Sequence, residues 1–213
     1  MSSLAGTTSA AGTVQAGRIQ RHKLVDRIYH WSMAVCTLTL LATSFLPIIG
    51  WKFAWLTIHW ASGLVLTAAV IFHIVRALFF QNPMSMVVDG RDLRGLGSGG
   101  RPGKYNIAQK LYHLAIAVLI LGAIASGLLM LRKIDTPWWQ RDPYWFDDRG
   151  WGIIYSVHDF VAMALITMIM IHVYFALRPD EWHLTRSMLR GWITPEEYRD
   201  HFDPKRWKAE EEA

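Results

Sequence analysis

The chain has 213 residues, of which 52% are hydrophobic and only 18% charged, and its formal net charge is +5. Soluble domains carry about a quarter charged residues, so this composition excludes an ordinary soluble protein. The basic residues flank long apolar stretches, which favours orienting loops of a membrane protein over a nucleic-acid-binding surface. A single cysteine, Cys36, excludes a disulfide within the chain. We therefore expect a small integral membrane protein with no nucleic-acid partner.

In chain order, residues 1–17 are rich in Ser, Ala, Gly and Thr and are predicted to be a disordered tail. Four apolar stretches follow, each long enough to cross a bilayer as a helix. They cover residues 28–49, 54–75, 111–131 and 153–177. Residues 18–178 are thus predicted to form one transmembrane domain, an all-α four-helix bundle. Residues 179–213 are predicted to be a cytoplasmic C-terminal tail.

Lys and Arg are distributed unevenly between the two sides of these spans. The N-terminal segment, the Gly-rich connection after the second span and the C-terminal tail carry 17, whereas the other two connections carry five. The positive-inside rule then places both termini in the cytoplasm of a bacterium whose inner membrane the chain crosses. Tryptophans on the opposite side are typical either of interfacial anchoring or of a docking surface for an extracytoplasmic partner.

The two halves of the chain resemble each other. The segment DRIYHWSMAV aligns with QKLYHLAIAV, and IHWASGLVLTAAVIFHIVRAL aligns with VHDFVAMALITMIMIHVYFAL, both without gaps. This alignment superposes the six histidines of the spans, which are His30, His59, His73, His113, His158 and His172. Internal repeats of this kind predict two repeated hairpins with functional sites at their interface.

The six histidines fall at two depths. Fourteen positions separate His59 from His73, and His158 from His172, so each pair lies on one helix face about 21 Å apart along the axis. Ionisable groups in a bilayer are costly and rare, and neutral imidazole is a common ligand of iron. The pattern favours haem held between facing histidines. A haem-free transporter or scaffold that uses histidines as a proton path is the alternative, although Asp159 is the only carboxylate of the four spans.

Further motifs accompany these histidines. They are His30 with Trp31, His59, Arg76, a GKYN-x-x-QK run (Gly103, Lys104, Tyr105, Asn106, Gln109, Lys110), and His158, His172 and Tyr174 of the last span. With them, residues 20–207 resemble the gamma, cytochrome b, subunit of membrane-bound formate dehydrogenases. Related cytochromes of hydrogenases and thiosulfate reductases share the histidine arrangement.

The resemblance implies an electron-transfer and quinone-reducing subunit that does not act on the primary substrate itself. It implies an outer haem b on His59 and His158 and an inner haem b on His30 and His172. The expected partners are an iron–sulfur subunit, an extracytoplasmic catalytic subunit of the molybdenum or tungsten type, and menaquinone or ubiquinone. Asn106 and Gln109 carry over as quinone-site residues. A subunit of a hydrogenase, thiosulfate reductase or other molybdoenzyme is the alternative.

His73 and His113 are not ligands in the formate dehydrogenase pattern. Exchanging the two halves maps the His30–His172 pair onto His113 and His73, while His59 and His158 exchange with each other. We therefore predict a third haem on His73 and His113, against the alternative that they only hydrogen-bond across helices. The histidines outside the spans, His22, His183 and His201, are expected at the solvated surface.

Overall fold

The computed structural model describes residues 17–93 and 100–208. Its four long helices are α1 (Leu24–Phe45), α2 (Trp55–Phe80), α3 (Ile107–Met130) and α4 (Asp148–Leu177). Each is long and apolar enough to cross a membrane, which confirms the predicted all-α class with four transmembrane helices. The predicted N-terminal tail, apart from Gly17, lies outside the described residues.

Shorter elements lie before, between and after these helices. Two helices, α5 (Trp182–Arg190) and α6 (Pro195–His201), follow α4, and two short strands, β1 (Ile19–Gln20) and β2 (Trp192–Ile193), pair with each other. Four 3₁₀ turns cover Pro83–Met86, Leu131–Lys133, Pro143–Trp145 and Pro179–Glu181. They mark where the chain leaves or enters the bundle.

Helices α3 and α4 begin at polar caps that lie outside the apolar stretches. The Gln109 N–H donates to Asn106 Oδ1 at 2.8 Å, and the Gly150 N–H donates to Asp147 Oδ1 at 2.7 Å. These bonds satisfy backbone N–H groups that a helix leaves free in its first turn. Helices α3 and α4 therefore start at residues 107 and 148, before the predicted spans at 111 and 153.

The α1 helix also lies nearer the N-terminus than predicted, because its ends are set by local hydrogen bonds rather than by hydropathy. Asp26 accepts a bond from the Lys23 N–H at its start. At its other end the chain turns through Leu46–Gly50, where the Trp51 N–H donates to the Leu46 carbonyl and Gly50 adopts φ +94°. Only glycine adopts this left-handed conformation readily, so the turn ends the helix at Phe45.

The helices pack as two hairpins, α1 with α2 and α3 with α4. Contacts within each hairpin are extensive, whereas the hairpins contact each other much less. One apolar cluster joins them at mid-height, formed by Cys36, Leu66, Val70, Ile120, Val161 and Leu165. The predicted architecture of two repeated hairpins is therefore confirmed. The six histidines of the spans lie at the interface between the hairpins, on either side of this cluster.

A small folded unit, which we call the terminal-side cap, covers the end of the bundle that carries both ends of the described chain, Gly17 and Lys208. It consists of residues 18–23, 100–106 and 178–208. Ile19 pairs with Ile193 in the two-stranded sheet, and the Asp203 N–H donates to the Pro102 carbonyl at 2.8 Å. Ile193, Phe202 and Trp207 form a second buried cluster. The cap shows that both described ends of the chain lie on one side of the bundle.

Candidate functional site

The outer pair consists of His59 on α2 and His158 on α4, at the level far from the termini. Their ring centroids are 6.2 Å apart, with an interplanar angle of 70°. Each ring is held by a hydroxyl of its own hairpin, because His59 Nδ1 lies 2.8 Å from Thr43 Oγ1 and His158 Nδ1 lies 2.8 Å from Ser126 Oγ. Thr43 and Ser126 are buried and occupy equivalent positions in the repeat.

These hydroxyls determine which nitrogen of each imidazole carries the proton. Thr43 Oγ1 donates to the Thr39 carbonyl at 2.8 Å, and Ser126 Oγ donates to the Gly122 carbonyl at 2.7 Å. A hydroxyl has one proton to donate, and when that proton goes to the carbonyl each Oγ accepts a hydrogen bond from the imidazole Nδ1–H. Nε2 of both rings is left with a free lone pair. This is the tautomer that a metal-ligating histidine adopts when a second group orients it.

An apolar cleft between the hairpins contains the outer pair. Its walls include both histidines together with Leu40, Trp60, Gly63, Ile124, Gly127, Ala162 and Leu165. A methyl group at position 127 would lie 3.4 Å from Cε1 of His158, so Gly127 lets the imidazole approach α3 closely. The small residues Gly63 and Ala162 lie in the same walls, where they leave room for a bulky group.

Two further pairs lie at the level near the termini. In the first inner pair, His30 of α1 and His172 of α4 have centroids 6.2 Å apart. In the second inner pair, His73 of α2 and His113 of α3 have centroids 6.3 Å apart. Every pair takes one histidine from each hairpin. The structure therefore brings all six predicted histidines together in the three predicted combinations.

The spacing of the rings fits a metal ion bound between them. With metal–nitrogen bonds of about 2.0 Å and ring centres roughly 1.1 Å behind each nitrogen, two imidazoles on one ion have centroids about 6.2 Å apart. A direct hydrogen bond between the rings would bring the centroids to about 5.1 Å. The three separations, 6.2, 6.2 and 6.3 Å, match the first arrangement. Since each pair supplies two ligands, an iron held there takes the others from a cofactor, as haem iron does.

The residues predicted for a quinone site form a reciprocal cap at the start of α3. Asn106 Oδ1 accepts from the Gln109 N–H, and Gln109 Oε1 accepts from the Asn106 N–H at 3.0 Å. Both side-chain oxygens are thus used in holding the helix end. The side-chain NH₂ groups are the atoms that these residues would offer to a ligand.

A buried ion cluster next to the Asn106–Gln109 helix cap was not predicted from the sequence. Lys110 Nζ donates to Asp92 Oδ2 at 2.8 Å and to the Val87 carbonyl at 3.0 Å, and Arg206 also contacts Asp92. Burial alone would raise the pKa of Asp92, but hydrogen bonds from Lys110, the Asp89 backbone and Arg206 outweigh it and lower the pKa to about 2. These residues are far apart in sequence, so no local pattern indicates the cluster.

Of the histidines outside the spans, His201 is exposed as expected, whereas His183 and His22 are not. His183 is buried in the terminal-side cap and its ring stacks on that of His201 at 4.0 Å. The prediction that His183 is solvated is therefore wrong, because His201 at the end of α6 and Phe202 pack against its ring. Burial, with His201 and Arg21 nearby, lowers the pKa of His183. His22 is partly buried, and burial together with the charges of Arg21 and Lys104 lowers its pKa to about 3.

Comparison with known proteins agrees with this site. Residues 21–191 match the family described as prokaryotic cytochrome b561. The chain is 26% identical to the formate dehydrogenase cytochrome b556 subunit of Haemophilus influenzae, over 91% of this chain and 84% of the relative. It is also 26% identical to the formate dehydrogenase cytochrome b556(fdo) subunit of Escherichia coli, over 90% of this chain and 92% of the relative.

These relatives confirm the resemblance to formate dehydrogenase cytochrome subunits. The family match covers well over half of the 213 residues. Membership of this family implies haem b, which the spacing of the histidine pairs fits. The four apolar helices and the family together make the chain a multi-pass protein of the bacterial inner membrane. The chain belongs to the prokaryotic cytochrome b561 family.

Proposed function

We propose that this chain is the cytochrome b subunit of a formate dehydrogenase-like respiratory oxidoreductase. It would carry electrons across the membrane between an extracytoplasmic iron–sulfur partner and a membrane quinone. The observation that supports this most is the presence of metal-spaced histidine pairs at two depths, His59–His158 and His30–His172. A subunit that carries electrons across the bilayer needs redox sites at more than one depth.

The histidines of these two pairs would hold two haems b. When bound, haem b supplies reversible one-electron oxidation and reduction of its iron. Thr43 and Ser126 would keep Nε2 of the outer histidines available by accepting hydrogen bonds from their Nδ1–H groups. The apolar walls of the cleft exclude water from the outer pair, and a low local polarity affects the potential of any iron held there.

The end of the bundle opposite the termini is the proposed docking side for the iron–sulfur partner. The α3–α4 connection exposes the aromatic rings of Trp138, Tyr144 and Trp145 there. The connection is held in shape by a hydrogen bond from Trp139 Nε1 to the Leu131 carbonyl at 3.3 Å. Exposed aromatic residues on an ordered loop suit a protein interface. The catalytic subunit of the molybdenum or tungsten type would bind through that partner.

The quinone is proposed to react near the inner pairs, on the side of the terminal-side cap. The positive-inside rule places this side in the cytoplasm, from which the reduced quinone would take its protons. The side-chain NH₂ groups of Asn106 and Gln109 would donate hydrogen bonds to a quinone carbonyl while their oxygens hold α3. The ion pair of Lys110 with Asp92 keeps this region polar just below the bundle.

A quinol-reduction experiment tests this function. The full-length chain is purified in mild detergent, a reduced menaquinone analogue is added, and the b-type absorption is followed. We expect reduction by the quinol in the wild type and much slower reduction in His172→Ala. Colour that responds to dithionite but never to quinol would contradict the quinone role, and a colourless folded protein would contradict the cytochrome role.

The identity of the partner enzyme is tested on the complex isolated from native membranes. The tagged chain is isolated with its associated subunits, and formate, hydrogen and thiosulfate are compared as substrates in quinone-linked assays. Coupling to formate supports the proposal. Coupling to hydrogen or thiosulfate instead would replace formate dehydrogenase by one of the related complexes.

A further inference from the structure

We propose that His73 and His113 hold a second inner haem b, so that the chain binds three haems in all. This inference depends on the proposed cytochrome function but goes beyond the two sites that function requires. The second inner pair has the spacing of the other two, 6.3 Å between ring centroids against 6.2 Å in each. It is supplied by α2 and α3, whereas the first inner pair is supplied by α1 and α4.

The two inner pairs match each other in detail. Their rings are inclined by 55° in the first inner pair and by 63° in the second. In each pair the histidine of the first hairpin is partly buried and that of the second hairpin is exposed. The spacing, inclination and exposure that fit a haem between His30 and His172 are therefore also found at His73 and His113.

A tyrosine orients one histidine of each inner pair in the same way. Tyr29 stacks on His73, with centroids 4.5 Å apart and planes 10° from parallel. Tyr112 stacks on His172 at 5.5 Å and 22°. Tyr29 and Tyr112 are equivalent in the repeat, as are His73 and His172. A stacked neighbour covers the face of an imidazole, whereas a metal binds in the plane of the ring, so the stack orients the ligand without blocking it.

Helix α3 has a small residue beside His113, as α1 has beside His30. Ala34 lies one turn after His30 in α1, and Ala117 lies one turn after His113 in α3. Residues four apart share a helix face, so each small side chain lies beside its histidine. The sequence thus keeps the same small neighbour at both inner sites.

The alternative is that His73 and His113 only stabilise the bundle by hydrogen bonding across helices. The centroid separation is about 1 Å too long for a direct bond between the rings. In residues 17–93 and 100–208, no hydrogen bond joins these two histidines. Two imidazoles that face each other unbonded within a bilayer would be costly, and a shared metal removes that cost.

The test is the number of haems b per polypeptide in the full-length chain, measured by pyridine haemochrome against quantitative amino-acid analysis. We expect three in the wild type and two in His113→Ala. The matched control is His30→Ala, which removes a ligand at the equivalent position of the other hairpin and should also leave two. The double variant His30→Ala with His113→Ala should leave one.

A second readout identifies which site is lost. Low-spin ferric signals in the electron paramagnetic resonance spectrum should lose one component in His113→Ala and a different one in His30→Ala. Because the wild-type count is decisive by itself, the test remains valid even where a variant fails to fold.

The outcomes separate this inference from the proposed function. Two haems in the wild type, unchanged in His113→Ala but reduced to one in His30→Ala, would overturn the third site and leave the cytochrome intact. A folded wild type without haem would overturn both. Three haems with the expected losses would establish both inner sites.

Discussion

The two hairpins carry the same histidine framework but are anchored differently at the terminal side. In the first hairpin Asp26 of α1 pairs with Arg76 of α2, so the hairpin is closed by its own helices. The second hairpin has Gln109 and Phe175 at the equivalent positions. There, Lys110 of α3 reaches Asp92 of the long connection instead.

This difference separates what the site requires from what the rest of the protein requires. The histidines and the hydroxyls that hold them are repeated because both hairpins contribute equally to every pair. The anchoring residues are not repeated, because the hairpins meet different segments: Lys110 of the second hairpin pairs with Asp92 of the connection, which Arg206 also contacts, whereas Arg27 of the first hairpin donates to the Met188 and Leu189 carbonyls of α5. This comparison of the two hairpins can be tested at the histidine pairs, at the ion pairs that anchor each hairpin, and at the hydroxyls that orient the outer histidines.

The largest effect is a loss of haem and is expected at the outer pair of histidines. His59→Ala and His158→Ala should each remove the same single haem, since neither imidazole alone completes the site, and the double variant should lose no more than one. Haem per chain, with the outer component followed by its spectrum, is the measurement. If the double variant lost two haems, the two histidines would not share a site and the equivalence of the hairpins would be broken.

The next effect is on stability, at the anchor of the second hairpin. Asp92→Asn leaves Lys110 and Arg206 without a buried carboxylate, since only 2% of the Asp92 side chain is exposed. Loss of one partner from a buried pair costs about 3–5 kcal/mol. The control, Asp26→Asn, should cost about 1 kcal/mol because its ion pair is more exposed, at 26% of the Asp26 side chain. Denaturant unfolding in detergent compares them, and equal losses would contradict the proposed difference in anchoring.

Asp92 should also make stability depend on acid pH. Its pKa is about 2 in the folded chain against 3.8 ordinarily, so the carboxylate contributes fully above the ordinary value. That contribution is lost as the pH falls from about 4 to about 2. The Asp92→Asn variant should lack this part of the pH dependence. An unchanged acid limb in the variant would show that other groups cause it.

A smaller effect is expected at the hydroxyls that orient the outer histidines. Thr43→Val and Ser126→Ala each remove the acceptor for an imidazole Nδ1–H. Loss of such an orienting group typically lowers metal-site affinity about 10- to 100-fold. Haem retention during dilution should fall to a similar extent in both variants, with Thr43→Ser as the control. A loss in only one would show that the hairpins do not support the outer site equally.

A further effect on stability concerns His22 in the terminal-side cap, just before α1. Its pKa is lowered to about 3, so between pH 6.5 and 3 the unfolded chain binds a proton that the folded chain does not. Stability should therefore decrease as the pH falls below about 6.5, by at most roughly 1.4 kcal/mol per pH unit. The His22→Gln variant should show a flatter profile between pH 6.5 and 5. An identical slope would indicate that His22 is solvated after all.

The sequence by itself was sufficient to predict the elements of the bundle and the pairing of its histidines. Apolar stretches of bilayer length predict the helices because no other element satisfies its backbone within lipid. The 14-residue spacing and the gapless repeat predict which histidines are equivalent. Helix ends were predicted less well, since caps such as Asn106 and Asp147 lie outside the apolar stretches that hydropathy detects.

Only the tertiary structure decided how distant segments meet. The hydroxyl partners of the outer histidines, the enclosure of His183 and the ion cluster around Asp92 depend on contacts between residues far apart in the chain. A periodic pattern determines which face of a helix a residue occupies, and the packing of one element on another determines what that residue touches. The pairs of histidines are predictable because symmetry links them, whereas the anchors are not because no symmetry relates them.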